Sequence, residues 1–249
     1  MPNFARDTGP RPSQEEQVIE YRPANERGRS SHGWLESFHT FSFADYHDPS
    51  HMGLGPLRVI NDDTLQPGRG FGKHGHRDME ILSYVLDGEL AHEDSLGNGS
   101  VIVPGDVQRM SAGTGVIHSE FNPSRDRPVH FLQIWIEPAS RGLPPGYEQK
   151  HVPAERKRGR LALIASQDGR DGSVTVRQDA RVYAALLDGA ERAAMDLAAG
   201  RRAYVQAARG RVQLGEATLR AGDGAAVHGP ARIELHDGMD AEVLVFDLP

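Results

Sequence analysis

The chain of 249 residues contains no cysteine, and this absence limits its chemistry at once. Disulfide bonds, thiolate metal ligands and a cysteine nucleophile are all excluded. Any bound metal must therefore be held by imidazole and carboxylate groups, which suit Fe, Mn, Co, Ni, Cu and Zn.

Long hydrophobic runs are also missing. No apolar run approaches the roughly 20 residues that a membrane helix needs. Residues 1–17 are polar with mixed charges, and they lack the apolar core of a signal peptide. We therefore predict a cytoplasmic protein with no membrane partner, and we interpret residues 1–17 as a loose N-terminal extension.

Positive charge is in deficit as well. Lys and Arg number 28 against 35 Asp and Glu, which gives a formal net charge of -7. Such a charge repels phosphate, so we do not expect direct binding to nucleic acid. A basic run at residues 156–160 is interpreted as a solvated linker, and a targeting or anion-binding patch is the alternative.

Glycine and proline, in contrast, are plentiful, with 28 and 16 residues. They and Asp or Asn separate short β-branched segments, which is the pattern of an all-β barrel or sandwich. Residues 57–60, for example, run into Asn61-Asp62-Asp63, which favours a turn. The other predicted strands include residues 79–86, 100–103, 129–136, 181–187, 203–207, 211–214 and 242–246.

The two halves of the chain share a local pattern. A hairpin dipeptide at Asp87-Gly88, and another at Arg209-Gly210, is followed by strands and then by a Gly-Asp turn. We interpret this as a faint internal repeat of two β units, and the length suits two packed barrels. The predicted divisions are an N-terminal domain over 18–140, a linker over 141–160 and a C-terminal domain over 161–249.

Two pairs of candidate metal ligands stand out in the first half. His74 and His76 are two residues apart, as are His118 and Glu120, so in strands each pair projects from one face. If the two strands face each other, three imidazoles and one carboxylate converge on a single metal. Coordination positions left open would make such a site catalytic rather than structural.

Other residues could compete for this role. Glu80 lies four residues after His76 on the same strand face, and it is a rival to Glu120 because two ionised carboxylates side by side repel. His39 lies in an aromatic-rich stretch and is interpreted as a packing residue, with a pocket role as the alternative. The remaining histidines, His92 among them, are interpreted as surface or core residues.

These residues lie in blocks that resemble the pirin family of the cupin superfamily. The most specific blocks are residues 74–80 (HGHRDME), 104–115 (PGDVQRMSAGTG) and 118–122 (HSEFN), and the resemblance spans nearly everything from about residue 18 to 249. It implies a bicupin fold, in which two jelly-roll-like β-barrels pack together and only the first holds a metal. It also implies the ligand set His74, His76, His118 and Glu120, with Glu80 bracing a ligand from behind.

Bacterial members of the family are similar to flavonol 2,3-dioxygenases, also called quercetinases. The resemblance implies ring cleavage of a small aromatic, flavonol-like substrate with dioxygen, one divalent metal with Fe(II) as first choice, and Glu120 as the catalytic base. The alternative is an iron-dependent redox-sensing regulator that binds a protein partner. An open apolar cavity beside the metal would favour the enzyme, and a plugged site with a charged surface patch would favour the regulator.

Substrate contacts are harder to assign from sequence. Polar residues in apolar strands and the segment before His118 supply the candidates, with barrel packing or solvent exposure as the alternative. These candidates are Gln108, Met110, Ser111, Ala112 and Gln133. We expect a monomer, because each chain already pairs two barrels.

Overall fold

Most of the described chain forms β-strands, in which successive side chains point to opposite faces of the sheet. A computed structural model of the protein describes residues 19–249, so the predicted extension over residues 1–17 lies outside the described residues. Helical structure in the described part comprises α1 (Ala154–Lys157) and two 3-10 turns, at Ala24–Glu26 and Arg170–Gly172. The predicted all-β class is thereby confirmed.

The strands are β1 (Ile19–Arg22), β2 (Gly28–Ser31), β3 (Leu35–His39), β4 (Leu57–Leu65), β5 (Gly70–His76), β6 (Glu80–Asp87), β7 (Leu90–Asp94), β8 (Gly99–Ile102), β9 (Asp106–Ser111), β10 (Val116–Phe121), β11 (Val129–Ile136), β12 (Gly146–His151), β13 (Ala162–Ser166), β14 (Val174–Thr175), β15 (Arg181–Gly189), β16 (Ala193–Leu197), β17 (Arg202–Leu214), β18 (Ala217–Arg220), β19 (Gly224–His228) and β20 (Ala231–Leu248).

Two sheets form the first barrel. One has seven strands in the order β12-β9-β6-β11-β4-β3-β2, and the other has four in the order β5-β10-β7-β8. Their inner faces enclose an apolar cluster, which includes Leu65 and Phe131 from the larger sheet and Leu90 and Ile102 from the smaller. The rest of the barrel interior is left for other side chains.

The second barrel is built from one nine-stranded sheet. Its main path is β1-β19-β17-β20-β15-β13-β14, with β16 on β20 and β18 on β17. The long strands β17 and β20 pair along most of their length with several register shifts, and such bulges bend a sheet. The bent sheet closes around a core of Ala, Val, Leu and Ile side chains.

The two barrels share a further core. Leu132 and Ile134 of the first barrel belong to the same buried cluster as Ile164, Val182 and Phe246 of the second. Because this cluster removes apolar side chains of both barrels from water, it holds the two barrels together. No helix within residues 19–249 has the length and hydrophobicity required to cross a membrane.

A buried lysine also joins the barrels, and it changes the interpretation of the basic run. Lys157 is only 4% exposed. Its Nζ donates to the Tyr84 hydroxyl of the first barrel at 2.9 Å and to the Glu242 carboxylate of the second at 3.3 Å. A charge removed from water needs such partners. The run at 156–160 is therefore not a fully solvated linker.

Strands at both domain limits cross the predicted boundaries. β1 pairs with β19 of the second barrel, although it precedes the first barrel in sequence. β12 lies in the predicted linker and pairs with β9 of the first barrel. The limits 18–140, 141–160 and 161–249 remain predictions. The first limit assigns β1 to a different domain from its partner β19, and the second assigns β12 to a different segment from its partner β9.

Two local predictions were wrong. Residues 203–207 and 211–214 belong to one strand, β17, and Gly210 occupies a bulge with a left-handed φ of 63°. A side chain there would meet the Met239 and Asp240 carbonyl oxygens, so close approach of β20 requires the glycine. Asn61-Asp62-Asp63 is not a turn, because it lies inside β4.

Candidate metal centre and its cavity

Three histidines converge on the inner face of the four-stranded sheet. β5 and β10 pair antiparallel with His74 opposite His118 and His76 opposite Val116. The ring centroids of His74 and His118 are 4.4 Å apart, and each lies 4.8 Å from the His76 ring. One ring nitrogen from each histidine lies within 4.8 Å of the other two. The structure therefore brings together the three predicted imidazole ligands.

The chemistry of these rings suits a divalent transition metal. His118 is 1% exposed, and its Nε2 has no hydrogen-bond partner among residues 19–249. Leaving a buried nitrogen unpaired costs free energy, and a metal would supply the missing partner. Burial lowers the pKa of His76 to about 4 and that of His118 to about 3, so both rings are neutral at pH 7. Neutral imidazole is the form that binds metal.

His74 is oriented by its own strand. Its Nδ1 lies 2.7 Å from the carbonyl oxygen of Gly72, to which it donates. Such a bond fixes the ring orientation and leaves Nε2 with a free lone pair. The two-residue spacing of the glycine and the histidine places donor and acceptor side by side on β5.

Glu120 reaches the same region from β10. A register irregularity separates it from His118, and the β5 backbone at Gly70 comes so close that a side chain on Gly70 would collide with the Glu120 carbonyl oxygen. The Glu120 carboxylate accepts hydrogen bonds from Ser83 at 3.0 Å and Gln133 at 2.8 Å. Burial raises its pKa to about 7. One carboxylate oxygen lies within 4.8 Å of ring nitrogens of His118 and His92.

His92 is a site residue that the sequence interpretation missed. Its Nδ1 lies 3.5 Å from Nδ1 of His118, and its Nε2 lies 3.2 Å from Oδ2 of Asp94. The side chains of His92 and Asp94 are fully buried. If His92 donates from Nε2 to Asp94, its Nδ1 can accept a hydrogen bond from Nδ1 of His118. The Nε2 atom of His118 then keeps a free lone pair for a metal. The signal available in sequence was the two-residue spacing of His92 and Asp94.

A cavity of about 510 Å³ opens beside the histidines, between the two sheets. His74, His76 and Glu120 line it together with the aromatic residues Trp34, Phe43, Phe71 and Trp135. The Trp135 ring stands edge-on to His76 at 5.0 Å and to Phe43 at 5.4 Å. This volume and apolar lining are typical of a small-molecule site.

Comparisons with known proteins agree with this geometry. The family model for Pirin matches residues 20–136, and the model for the Quercetinase C-terminal cupin domain matches residues 163–248. Quercetin 2,3-dioxygenase of Escherichia coli K12 is 47% identical over 232 residues, which cover 93% of this chain and 99% of that protein.

This chain belongs to the pirin family.

Other pirin relatives and solved structures support the same placement. The putative quercetin 2,3-dioxygenase of Pseudomonas aeruginosa is 42% identical over 93% of this chain and the whole of that protein. The crystal structure of E. coli YhhW, 47% identical, superposes with a TM-score of 0.89 over 93% of this chain and 98% of that one. Bacterial pirin YhhW in complex with nickel(II) gives 0.88, over 93% and 99% of the two chains. The predicted bicupin fold is confirmed.

The structure also places Glu80 and His39, the two residues that competed with the candidate ligands in the sequence. Glu80 accepts hydrogen bonds from the Ser111 hydroxyl at 2.7 Å and the Arg177 backbone N–H at 3.2 Å. It thus joins β6 to β9 and to the second barrel, and these contacts do not brace a candidate ligand. His39 packs against Phe43 and Tyr46, as the main interpretation expects, and it also lines the cavity, as the alternative does.

Of the five candidates for contact with the substrate, Gln133 lines the cavity. Met110 and Ala112 pack in a separate apolar cluster with Ile81 and Val116. Ser111 bonds to Glu80, away from the cavity. For these three residues the alternative of barrel packing describes the structure, because β9 lies between β12 and β6 and is separated from β4 by two strands.

Proposed function

We propose that this protein is a metal-dependent dioxygenase that cleaves the ring of a flavonol-like substrate, such as quercetin, with dioxygen. The observation that carries the proposal is the open apolar cavity of about 510 Å³ whose wall includes His74, His76 and Glu120. A planar aromatic molecule in this cavity lies directly against the candidate ligands. Relatives that match nearly the whole chain carry the name quercetin 2,3-dioxygenase.

The proposed ligands are His74, His76, His118 and Glu120, and the proposed native metal is Fe(II). Three neutral imidazoles and a carboxylate also accept Mn, Co, Ni, Cu or Zn, and a relative has been crystallised with nickel(II). A divalent metal held there supplies Lewis-acid activation of a substrate hydroxyl.

Glu120 is the proposed catalytic base. It lines the cavity, and hydrogen bonds from Ser83 and Gln133 hold its carboxylate in one orientation. A carboxylate held within reach of the substrate hydroxyl can take its proton. Because Ser83 and Gln133 come from the opposite sheet, this orientation depends on both walls of the barrel.

The aromatic wall has a positioning role in this proposal. Trp135 and Phe43 meet edge to face, and Trp34 and Phe71 form a second such pair at 5.6 Å. Planar substrates gain dispersion and burial energy against these rings, and water is excluded from the reacting face.

The regulatory alternative is not favoured. A plugged site would favour it, whereas the cavity is open and reaches the candidate ligands. The relatives' names also favour the enzyme.

The test is quercetin turnover by protein loaded with Fe(II) under anaerobic conditions and then mixed with oxygenated buffer. We expect flavonol absorbance to fall with matching oxygen uptake, and Glu120→Gln to lose at least about 100-fold of the rate, in line with loss of a general base. Full metal occupancy without oxygen uptake would contradict the proposal. Glu137→Gln, at an exposed position outside the cavity lining, is the control.

A further inference from the structure

Opposite the histidines, the cavity has a polar wall that metal binding does not explain. Asn61 and Asp63 project from β4 into the barrel, and they pair across to His39 and Ser37 of β3. All four are buried and all four line the cavity. Polar groups at inward barrel positions cost free energy unless hydrogen bonds compensate them, so their hydrogen bonds have to be traced one by one.

The wall is only partly satisfied from within. The Ser37 hydroxyl donates to Oδ1 of Asp63, and Nδ1 of His39 lies 2.8 Å from Oδ1 of Asn61. Nε2 of His39 bonds to the Ser30 hydroxyl at 2.9 Å. Among residues 19–249, neither Oδ2 of Asp63 nor Nδ2 of Asn61 has a hydrogen-bond partner. One acceptor and one donor on β4 are therefore left without a partner from the described chain, in a wall that lines the cavity.

Asp63 also differs from its strand neighbour Asp62 in having no ion-pair partner within the described residues. Asp62, on the other face of β4, pairs with Arg27 at 3.1 Å and with His130 at 2.6 Å. Asp63 is 3% exposed and has no ion-pair partner within the described part of the chain. The acidic side chains of Asp62 and Glu120 disfavour a negative charge on it. A buried carboxyl that holds no cation and faces a cavity is placed to meet a ligand.

We propose that Asp63 and Asn61 form a second recognition subsite, which binds a hydroxyl group on the part of a polyhydroxylated aromatic substrate that is remote from the histidines. A hydroxyl both donates and accepts a hydrogen bond, so it satisfies the Asp63 oxygen and the Asn61 amide together. The inference rests on the proposed function and makes these two residues specificity-determining.

The location of the wall supports this division of roles. The candidate metal ligands lie on β5 and β10 of the smaller sheet, whereas Asn61 and Asp63 lie on β4 of the larger sheet. A single cavity is lined by both groups. A ligand with one oxygen at the histidines can therefore reach the polar wall with a second one, whereas an aromatic ligand without remote hydroxyls leaves Asp63 and Asn61 unpaired. Sites of this kind discriminate strongly between such ligands.

The experiment compares binding of two flavonols to Fe(II)-loaded protein with oxygen excluded, followed by quenching of the fluorescence of the cavity tryptophans. Quercetin carries hydroxyls on its remote rings, and 3-hydroxyflavone carries none. We expect the wild type to bind quercetin at least about 10-fold more tightly, as one or two hydrogen bonds to a buried carboxyl provide. In Asp63→Leu and Asn61→Leu, that ratio should fall toward one through weaker quercetin binding alone.

Asp62→Asn is the matched control, because it changes the adjacent carboxylate on the opposite face and should keep the wild-type ratio. If Asp63→Leu does not fold, the near-isosteric Asp63→Asn replaces it, with an expected fall in the ratio of at least about threefold. A wild-type ratio retained in the folded Asp63 variant would overturn the subsite and leave the proposed function standing. Failure of the metal-loaded wild type to bind either flavonol would overturn both.

Discussion

The interiors of the two barrels differ far more than their folds do. The core of the second barrel consists of Ala, Val, Leu and Ile side chains. The first barrel has an apolar cluster too, but next to it the interior holds the histidines, Glu120 and the polar wall around an open cavity. Both are mainly antiparallel barrels of similar strand content, so the fold does not decide which of them carries a site. The inward positions of β3, β4, β5 and β10 decide it.

The comparison also indicates how the protein tolerates a polar interior. Each unpaired or repelling group in the first barrel lowers its stability. The second barrel contributes a closed apolar core, and the shared cluster that includes Leu132 and Phe246 ties the two together. We infer that the second barrel acts as a support for the first, which is freed to hold groups that a self-sufficient core would exclude.

The largest expected effect follows from breaking the histidine cluster. We predict that His118→Ala removes most bound metal, because the variant loses the imidazole nitrogen at the centre of the candidate site. The measurement is metal content per folded chain after loading and gel filtration, with circular dichroism to check the fold.

His236→Ala is the control from the second barrel. His236 bonds to Asp237 and to the Gly215 carbonyl oxygen, and it belongs to neither cluster of candidate ligands found in residues 19–249. Its metal content should equal that of the wild type. Full metal content in folded His118→Ala would show that the candidate site is wrong, and a large loss in His236→Ala would end the proposed asymmetry between the barrels.

A smaller effect is expected behind the site. We predict that His92→Phe weakens metal binding about 10- to 100-fold, because His118 loses the partner that orients its ring, whereas saturating metal still fills the site. His92→Gln, which can accept from His118, should recover part of the affinity. The measurement is a competition titration against a chelator of known affinity.

An exposed histidine provides the comparison for this variant. His151 is paired with Asp106 at the surface of the same barrel, so His151→Ala should bind metal as the wild type does. Equal affinities in His92→Phe and the wild type would show that the buried chain from His118 to Asp94 is only packing.

The sequence was a sufficient guide wherever a local pattern determines the outcome. Glycine and proline between β-branched segments predicted the strands, and the spacing of His74 from His76 and of His118 from Glu120 predicted shared faces. In both cases the information lies within a few residues. The structure accordingly agrees with the all-β class and brings the three histidines together.

The remaining features depend on partners that are distant in sequence. His92 acquires its role from His118, which lies 26 residues away and meets it only when β7 pairs with β10. Asn61 and Asp63 are residue types that are common in turns, and only their pairing with β3 shows that they belong inside a strand. Turn-forming residues and cavity-lining residues are chemically the same types, so composition alone cannot separate them.

The smallest expected effect compares two buried carboxyls, one in each barrel. Burial raises the pKa of Asp63 to about 7, so between its unfolded pKa of roughly 4 and pH 7 the folded chain binds more protons than the unfolded one. Stability from this group is therefore lost as the pH rises through that window. In metal-free protein, Asp63→Asn should have a melting temperature that rises relative to wild type between pH 5 and pH 8, by a few degrees.

Asp247 of the second barrel is also buried but is paired with Arg181 and Arg201, so Asp247→Asn should lower the melting temperature at pH 7. A difference between Asp63→Asn and wild type that stays constant with pH would show that Asp63 titrates normally and that the polar wall is as well compensated as the paired carboxylate of the second barrel.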